Sequence, residues 1–243
     1  MVDNYRYESS HYKYLLNNEI FSFNEFKGKN VLEIGCGLGA DLQKFAISGA
    51  RISAVDAAKS TEVVLKKRFL HKKNYKYNFK VADFKKISFK SNSFDMIYSF
   101  GVLHHSYWIE EGIKEAYRLL KNDGEIIIMI YHKGFKYYVK KVLFKWILNL
   151  QFMTLSLQDS INKNTEEFHN SPCTLVFSKM EAIRLLEKNH FKISRLRTYR
   201  LDDNITLFGR KFFVLKFILP NTVYLFLEKY CGWNLLIRAK KII

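Results

Sequence analysis

Short apolar runs alternate with amphipathic stretches through the first 131 residues. Residues 29–34 read as a strand, and the glycines of 35–39 break it before a helical pattern resumes over 40–48. Residues 51–55 form a second apolar run that ends in Asp56. Ser60 is placed to cap a helix reaching residue 71. Further strands are predicted at 78–82 and 94–99. Over 107–120, Ile109, Ile113, Ala116, Tyr117 and Leu120 fall on one helical stripe. Asn122-Asp123-Gly124 predicts a turn, and 125–131 is a nearly all-apolar run that suits a strand buried on both faces. A helical lead-in with aromatics on more than one face is predicted over 10–26.

Past residue 131 the rhythm changes. Residues 135–157 read as helix, both basic and aromatic, and 158–175 as polar loop. A helix over 178–189 starts at Ser178, with Glu181 at the capping-box position. Late strands are predicted at 191–199 and 233–240, separated by an inserted helical element of about thirty residues. Strands alternating with helices predict an α/β fold with a doubly wound, Rossmann-like parallel sheet. The chain reads as one domain over 1–243. Its core is 1–132, helical insertions and a late strand occupy 133–232, and a final strand fills 233–243.

Composition sharpens this. A chain of 243 residues with 48% apolar side chains can bury a sizeable core, and 16% aromatics leave some rings for a pocket or the surface. The three cysteines, Cys36, Cys173 and Cys231, are scattered, which predicts no disulfide framework and a reducing cytoplasm. Residues 1–10 lack an apolar run, so no secretory signal is expected. The net charge is +17, and it is lopsided: 20 basic against 15 acidic side chains up to residue 130, then 20 against 8. The cationic half suits an anionic partner, and a Lys-rich composition (30 Lys to 10 Arg) explains it equally well.

The chemistry concentrates after the first strand. In Val31-Leu32-Glu33-Ile34-Gly35-Cys36-Gly37-Leu38-Gly39, glycines at alternate positions permit a tight turn and leave room for a ligand. Asp56 stands 21 residues after Gly35, where an acid ending the second strand accepts ribose hydroxyls. The spacing is GxGxG, not the GxGxxG of dinucleotide folds, and no phosphate-binding Lys follows, which excludes a P-loop. Val81-Ala82-Asp83-Phe84, Ser93-Phe94-Asp95-Met96-Ile97-Tyr98-Ser99, Gly101-Val102-Leu103-His104-His105 and the run from Arg118 to Glu125 complete the set. Together these stretches resemble the class I S-adenosylmethionine-dependent methyltransferases. Tyr131-His132-Lys133, Phe177-Ser178-Lys179 and Gly232-Trp233-Asn234-Leu235 resemble, less specifically, a bacterial small-molecule subgroup of that family.

The resemblance implies a seven-stranded sheet whose last strand is antiparallel, with S-adenosyl-L-methionine as cofactor. It implies that Glu33, Gly35, Cys36, Gly37 and Gly39 surround the methionine part. Asp56, with Ala57 beside it, would hold the ribose, and Ala82, Asp83 and Phe84 the adenine. Ser99, Phe100 and Gly101 would supply contacts near the cofactor's amino group. Asp41 either reaches the same end or is a plain acid in the first turn of a helix. Asp95 is expected to steady the glycine loop.

Methyl transfer needs alignment and exclusion of water, and no metal. No metal-ligand spacing occurs in the sequence. A hydroxyl acceptor gains from a general base, and His104, His105 and His132 follow the fourth and fifth strands at the ligand edge. Each is either that base or a structural hydrogen-bonding group. Tyr5, Tyr7 and Tyr12 are either a lid or ordinary packing.

The leading expectation is a methyltransferase acting on a small-molecule, glycan-type or phosphorylated acceptor. The first rival is a nucleic-acid methyltransferase, against which Ser99-Phe100-Gly101-Val102 stands where base-amino methyltransferases carry Asn/Asp-Pro-Pro-aromatic. A non-catalytic cofactor-binding protein is the second rival, and a lipid methyltransferase at an anionic membrane surface the third.

Overall fold

The structure is a computed structural model, and it describes residues 20–70, 77–134, 146–147, 150–165, 173–199, 204–207, 210–213 and 219–243. Most of the expected lead-in helix, the three tyrosines and the lysine-rich run 135–145 lie outside the described residues.

Five parallel strands form one side of the main sheet: β1 (Asn30–Ile34), β2 (Arg51–Asp56), β3 (Tyr77–Val81), β4 (Phe94–Phe100) and β5 (Leu120–His132). A two-residue strand, β6 (Val176–Phe177), pairs with the end of β5. β7 (Phe191–Tyr199) lies at the far edge, and β10 (Asn234–Lys241) slots between β5 and β7, antiparallel to both. The order is β3-β2-β1-β4-β5-β10-β7, so the expected seven-stranded sheet with its antiparallel last strand is present. β8 (Asn204–Leu207) and β9 (Arg210–Phe213) form a separate hairpin.

The helices are α1 (Ala40–Ile47), α2 (Ser60–Phe69), α3 (Ile109–Leu119), α4 (Leu157–Thr165), α5 (Lys179–Lys188) and α6 (Asn221–Cys231). Alternate strand positions feed opposite faces of the sheet, as the period of two requires. Leu32, Ile34, Ile97, Ile126 and Ile128 pack with α3 and α5 through Ile113, Ala116, Leu119, Ala182 and Leu186. On the other face, Val31, Met96, Tyr98 and Ile127 pack with α1 and α2 through Leu42, Phe45 and Leu65. These side chains are almost wholly buried, each worth about 1.5–3 kcal/mol of transfer free energy.

Four expectations need correction. Residues 122–124 do not end an element: β5 runs through them, and Asp123 (φ 62°) and Gly124 act as an irregularity in its pairing with β4. The polar stretch 158–175 contains α4, whose Ile161 packs with Val176 and Trp233. Ile161 and the half-buried Leu157 are its two apolar anchors in that cluster, too few for a periodic signal. The insertion before β10 is part hairpin, not all helix. Ser60 is the first residue of α2 and not its cap, which is Lys59.

Topology places the ligand edge. Both insertions, 133–175 and 200–233, leave and return at the carboxyl ends of the parallel strands. β6 pairs with Tyr131 and His132, and Tyr199 and Tyr131 both face Asn234.

Candidate functional site

The glycine loop joins β1 to α1 at the carboxyl edge. Gly35 has φ 75°, and a Cβ there would run into the side chain of Val102, so the loops after β1 and β4 touch through it. Gly37 has φ 48°, and a Cβ there would meet nothing within 4 Å. The space over Gly37 is open, as a turn that admits a ligand must be. Gly39, also left-handed, caps α1.

Asp56 ends β2, half-buried beside this loop. Its Oδ2 accepts the Gly37 N–H at 2.9 Å and its Oδ1 the Ala58 N–H at 2.9 Å. Ala57 is exposed between them. Glu33 is buried at the end of β1, in register with Ala54 and close to Tyr98 across the strand pairing. Cys36 is buried, and burial together with the Glu33 and Asp56 carboxylates pushes its thiol well up, so it stays protonated and inert.

The next loop carries Ala82, Asp83 and Phe84. Ala82 donates its N–H to the Asp56 carbonyl at 3.1 Å, which fixes the two acidic positions relative to each other. Asp83 is exposed and accepts from the Lys85 N–H at 3.0 Å, with the Lys85 ammonium at 3.2 Å. Phe84 packs over Gly112, where any side chain would collide with its ring.

Glu115 and Arg118 of α3 clamp this loop from behind. Glu115 accepts the Ile87 N–H at 2.7 Å, and Arg118 donates to the carbonyls of Ile87 and Phe89. Burial alone would raise the Glu115 carboxyl, yet Arg118 and the Ile87 N–H hold it below the usual range.

Two expected residues lie inside the fold. Asp41 is wholly buried in the first turn of α1 and accepts from the Tyr98 hydroxyl at 3.2 Å. Ser99 is buried and donates to the Ile34 carbonyl at 3.1 Å, joining β4 to the glycine loop. Asp95 does not steady that loop: it accepts the Asn30 N–H at 2.8 Å and the Lys121 ammonium at 2.9 Å. Parallel pairing explains the correction, since the start of β4 sits beside the start of β1, at the opposite edge from the glycines. Phe100 is half-buried, and Gly101 donates its N–H to the Met129 carbonyl at 3.1 Å.

The histidines form the other half of the site. His104 is fully buried, with ring centroids 4.2 Å from His105 and 4.1 Å from Tyr131. Neither of its ring nitrogens has a hydrogen-bond partner among the described residues. Burial and the neighbouring His105 hold its pKa well below the ordinary value, so it is neutral at neutral pH. His105, half-buried, has Nδ1 at 3.4 Å from both the Cys173 carbonyl and the Thr174 hydroxyl. A carbonyl only accepts, so the Cys173 contact is a hydrogen bond in the tautomer that carries the proton on Nδ1. His132 is buried with Nδ1 at 2.8 Å from the Gly232 carbonyl, and burial lowers its pKa.

Sequence reasoning assigned no role to Tyr131 and Trp233. Their rings lie 4.7 Å apart, and Tyr131 bridges Trp233 to His104. The available signals were the subgroup resemblance of Tyr131-His132-Lys133 and Gly232-Trp233-Asn234-Leu235, and an aromatic ending the central all-apolar strand. Trp233 is buried, whereas Tyr131 and His105 are half-buried and form the accessible part of an aromatic wall at the ends of β4 and β5.

The donor set fits S-adenosylmethionine. There is an open glycine turn, a carboxylate at its rim placed for a diol, and an acid with an aromatic ring one strand further on. Glu33, Gly35, Gly37, Asp56, Asp83 and Phe84 are the residues that would hold it.

Residues 32–128 match the family described as a methyltransferase domain. Phosphoethanolamine N-methyltransferase 2 of Caenorhabditis elegans is 27% identical over 115 residues, 46% of this chain but only 26% of that enzyme. The chain thus spans about a quarter of that relative's length. Ubiquinone biosynthesis O-methyltransferase of Coxiella burnetii is 25% identical over 179 residues, 70% of this chain and 73% of that one. Among solved structures, a SAM-dependent methyltransferase from Methanosarcina mazei superposes with a TM-score of 0.60 at 18% identity, covering 89% and 94% of the two chains. Over residues 32–128 the chain is therefore similar to methyltransferase domains, on the fold of the S-adenosylmethionine-dependent enzymes, and every cofactor-side residue named above falls within that span.

Proposed function

We propose that this protein methylates a small-molecule acceptor whose apolar part lies against Tyr131 and His105. The observation that carries the reading is the aromatic wall itself. It stands over the ends of β4 and β5, one strand from the glycine loop. The related enzymes act on phosphoethanolamine or in ubiquinone biosynthesis, which supports small acceptors over macromolecular ones.

When bound, S-adenosylmethionine supplies an electrophilic methyl group on a sulfonium. The chain's task is then to orient and to exclude water. Tyr131 positions the acceptor by ring contact, backed from the interior by the buried Trp233. His105, its Nδ1 turned towards the Cys173 carbonyl, presents Nε2 as the base for a hydroxyl acceptor. His104, neutral and buried beneath it, keeps positive charge away from the place where a cation must approach.

The test pairs calorimetry with label transfer. Purified protein should bind S-adenosylmethionine and pass labelled methyl groups into the small-molecule or lipid fraction of a cell extract. Label entering only nucleic acid or protein overturns the acceptor reading, and absence of cofactor binding overturns the whole of it.

A further inference from the structure

We infer that α6 docks this protein onto an anionic lipid bilayer. None of its eleven residues is buried. Its half-buried positions, Tyr224, Leu227, Glu228 and Cys231, recur at the spacing of one helical face, and there Thr198 of β7 donates to the Glu228 carbonyl at 2.9 Å. The outward face presents Val223, Leu225, Phe226 and Tyr230, between 41% and 61% exposed. Apolar side chains exposed together on the outward face of a helix mark a contact surface.

Charge selects the occupant. The ammonium groups of Lys179 and Lys229 each lie 5.5 Å from the Tyr230 ring, and Lys179 donates to the Lys229 carbonyl at 2.9 Å. In a two-fold dimer through this face, the lysine pairs of two +17 chains would meet. An anionic surface accepts both the rings and the amines, as interfacial helices require.

Position agrees. α6 runs through Gly232 and Trp233 into β10, so its carboxyl end abuts the aromatic wall. The other insertion at that edge also exposes apolar side chains: Ile147, Leu150, Phe152 and Met153. Among the described residues no helix is long and apolar enough to cross a membrane, so the contact lies in the interface plane. Docking goes beyond the methyl-transfer reading and does not require it.

Sedimentation with phosphatidylcholine vesicles, with and without phosphatidylglycerol, tests the inference. The wild type should pellet with the anionic vesicles at least about tenfold more than with the neutral ones, and release at high salt. The double variant F226S/Y230S should lose this binding while keeping its melting temperature and cofactor affinity, because both side chains are exposed. K179E/K229E should lose the preference for anionic vesicles. Equal pelleting of the wild type with both vesicles, or none, overturns the proposal. So does wild-type binding by F226S/Y230S, or a wild-type dimer that this variant dissociates without any vesicle binding. Cofactor affinity is read separately, so failure of docking and failure of the methyltransferase reading are distinguishable.

Discussion

At the scale of single residues, Asp56 has two tasks that one substitution separates. It offers a carboxylate to a ligand diol, and it ties Gly37 and Ala58 through their N–H groups. Asp56→Ala removes both, and charge-assisted bonds are worth about 1.5–3 kcal/mol each. Calorimetry on the folded variant should show cofactor affinity falling by at least about tenfold; Asp56→Asn should fall between it and the wild type. Gly37→Val fills the open turn and strains a left-handed position, so it too should bind cofactor at least about tenfold more weakly. His105→Ala should lower turnover and leave cofactor affinity near wild type, since its ring faces Thr174 and Tyr131 and not the glycine loop. Unchanged turnover with the true acceptor would mean that the acceptor needs no base from His105.

At the scale of elements, α5 shows how a sequence signal becomes structure. Ser178 Oγ accepts the Glu181 N–H at 3.2 Å and Glu181 returns a bond to the Ser178 N–H at 2.7 Å, the reciprocal box expected from the sequence. Glu181 also pairs with Lys133 at 2.7 Å, which ties the start of α5 to the end of β5. Ser178→Ala should cost about 1 kcal/mol, read as a lower denaturation midpoint at unchanged slope. The Glu115–Arg118 clamp has a different readout. Arg118→Ala releases the Ile87 and Phe89 carbonyls and leaves Glu115 without its ion pair. The loop holding Asp83 and Phe84 should then become protease-sensitive, and cofactor should restore its protection.

At the scale of the molecule, stability should fall with acid. His104 and His132 have pKa values depressed in the fold by burial. The unfolded chain therefore binds protons that the folded chain refuses, below about pH 6.5. Each histidine then removes stability at up to about 1.4 kcal/mol per pH unit as pH falls, until its folded pKa is reached. Asp95 adds to this lower down. Its carboxyl, which burial would raise, is held below the usual range by the Asn30 N–H and Lys121, so its contribution is lost as pH falls through that folded value. Melting temperature should drop steadily from pH 7 to pH 5, and less steeply in His104→Phe. A flat profile over that range would mean that the two rings are protonated in the fold.

What the sequence determined by itself is local. The strands, the glycine turn, Asp56 at the end of β2 and the box at Ser178 each depend on residues a few positions apart, where steric preference and period act directly. That is why the fold was legible, along with the loop spacing on which a cofactor reading rests. Tertiary structure decided what depends on distant partners. Tyr131, Trp233, His104, and His105 with Thr174, come together only because β10 inserts beside β5 and because both insertions return to one edge. α4 was invisible, since two apolar residues, Leu157 and Ile161, docking beside Trp233 leave too short a periodic trace. Asp95 was misread because motif order along the chain does not say which end of a parallel strand a side chain serves. A local pattern constrains a few neighbouring dihedral angles, whereas a site is assembled by long-range burial that no short window of sequence contains.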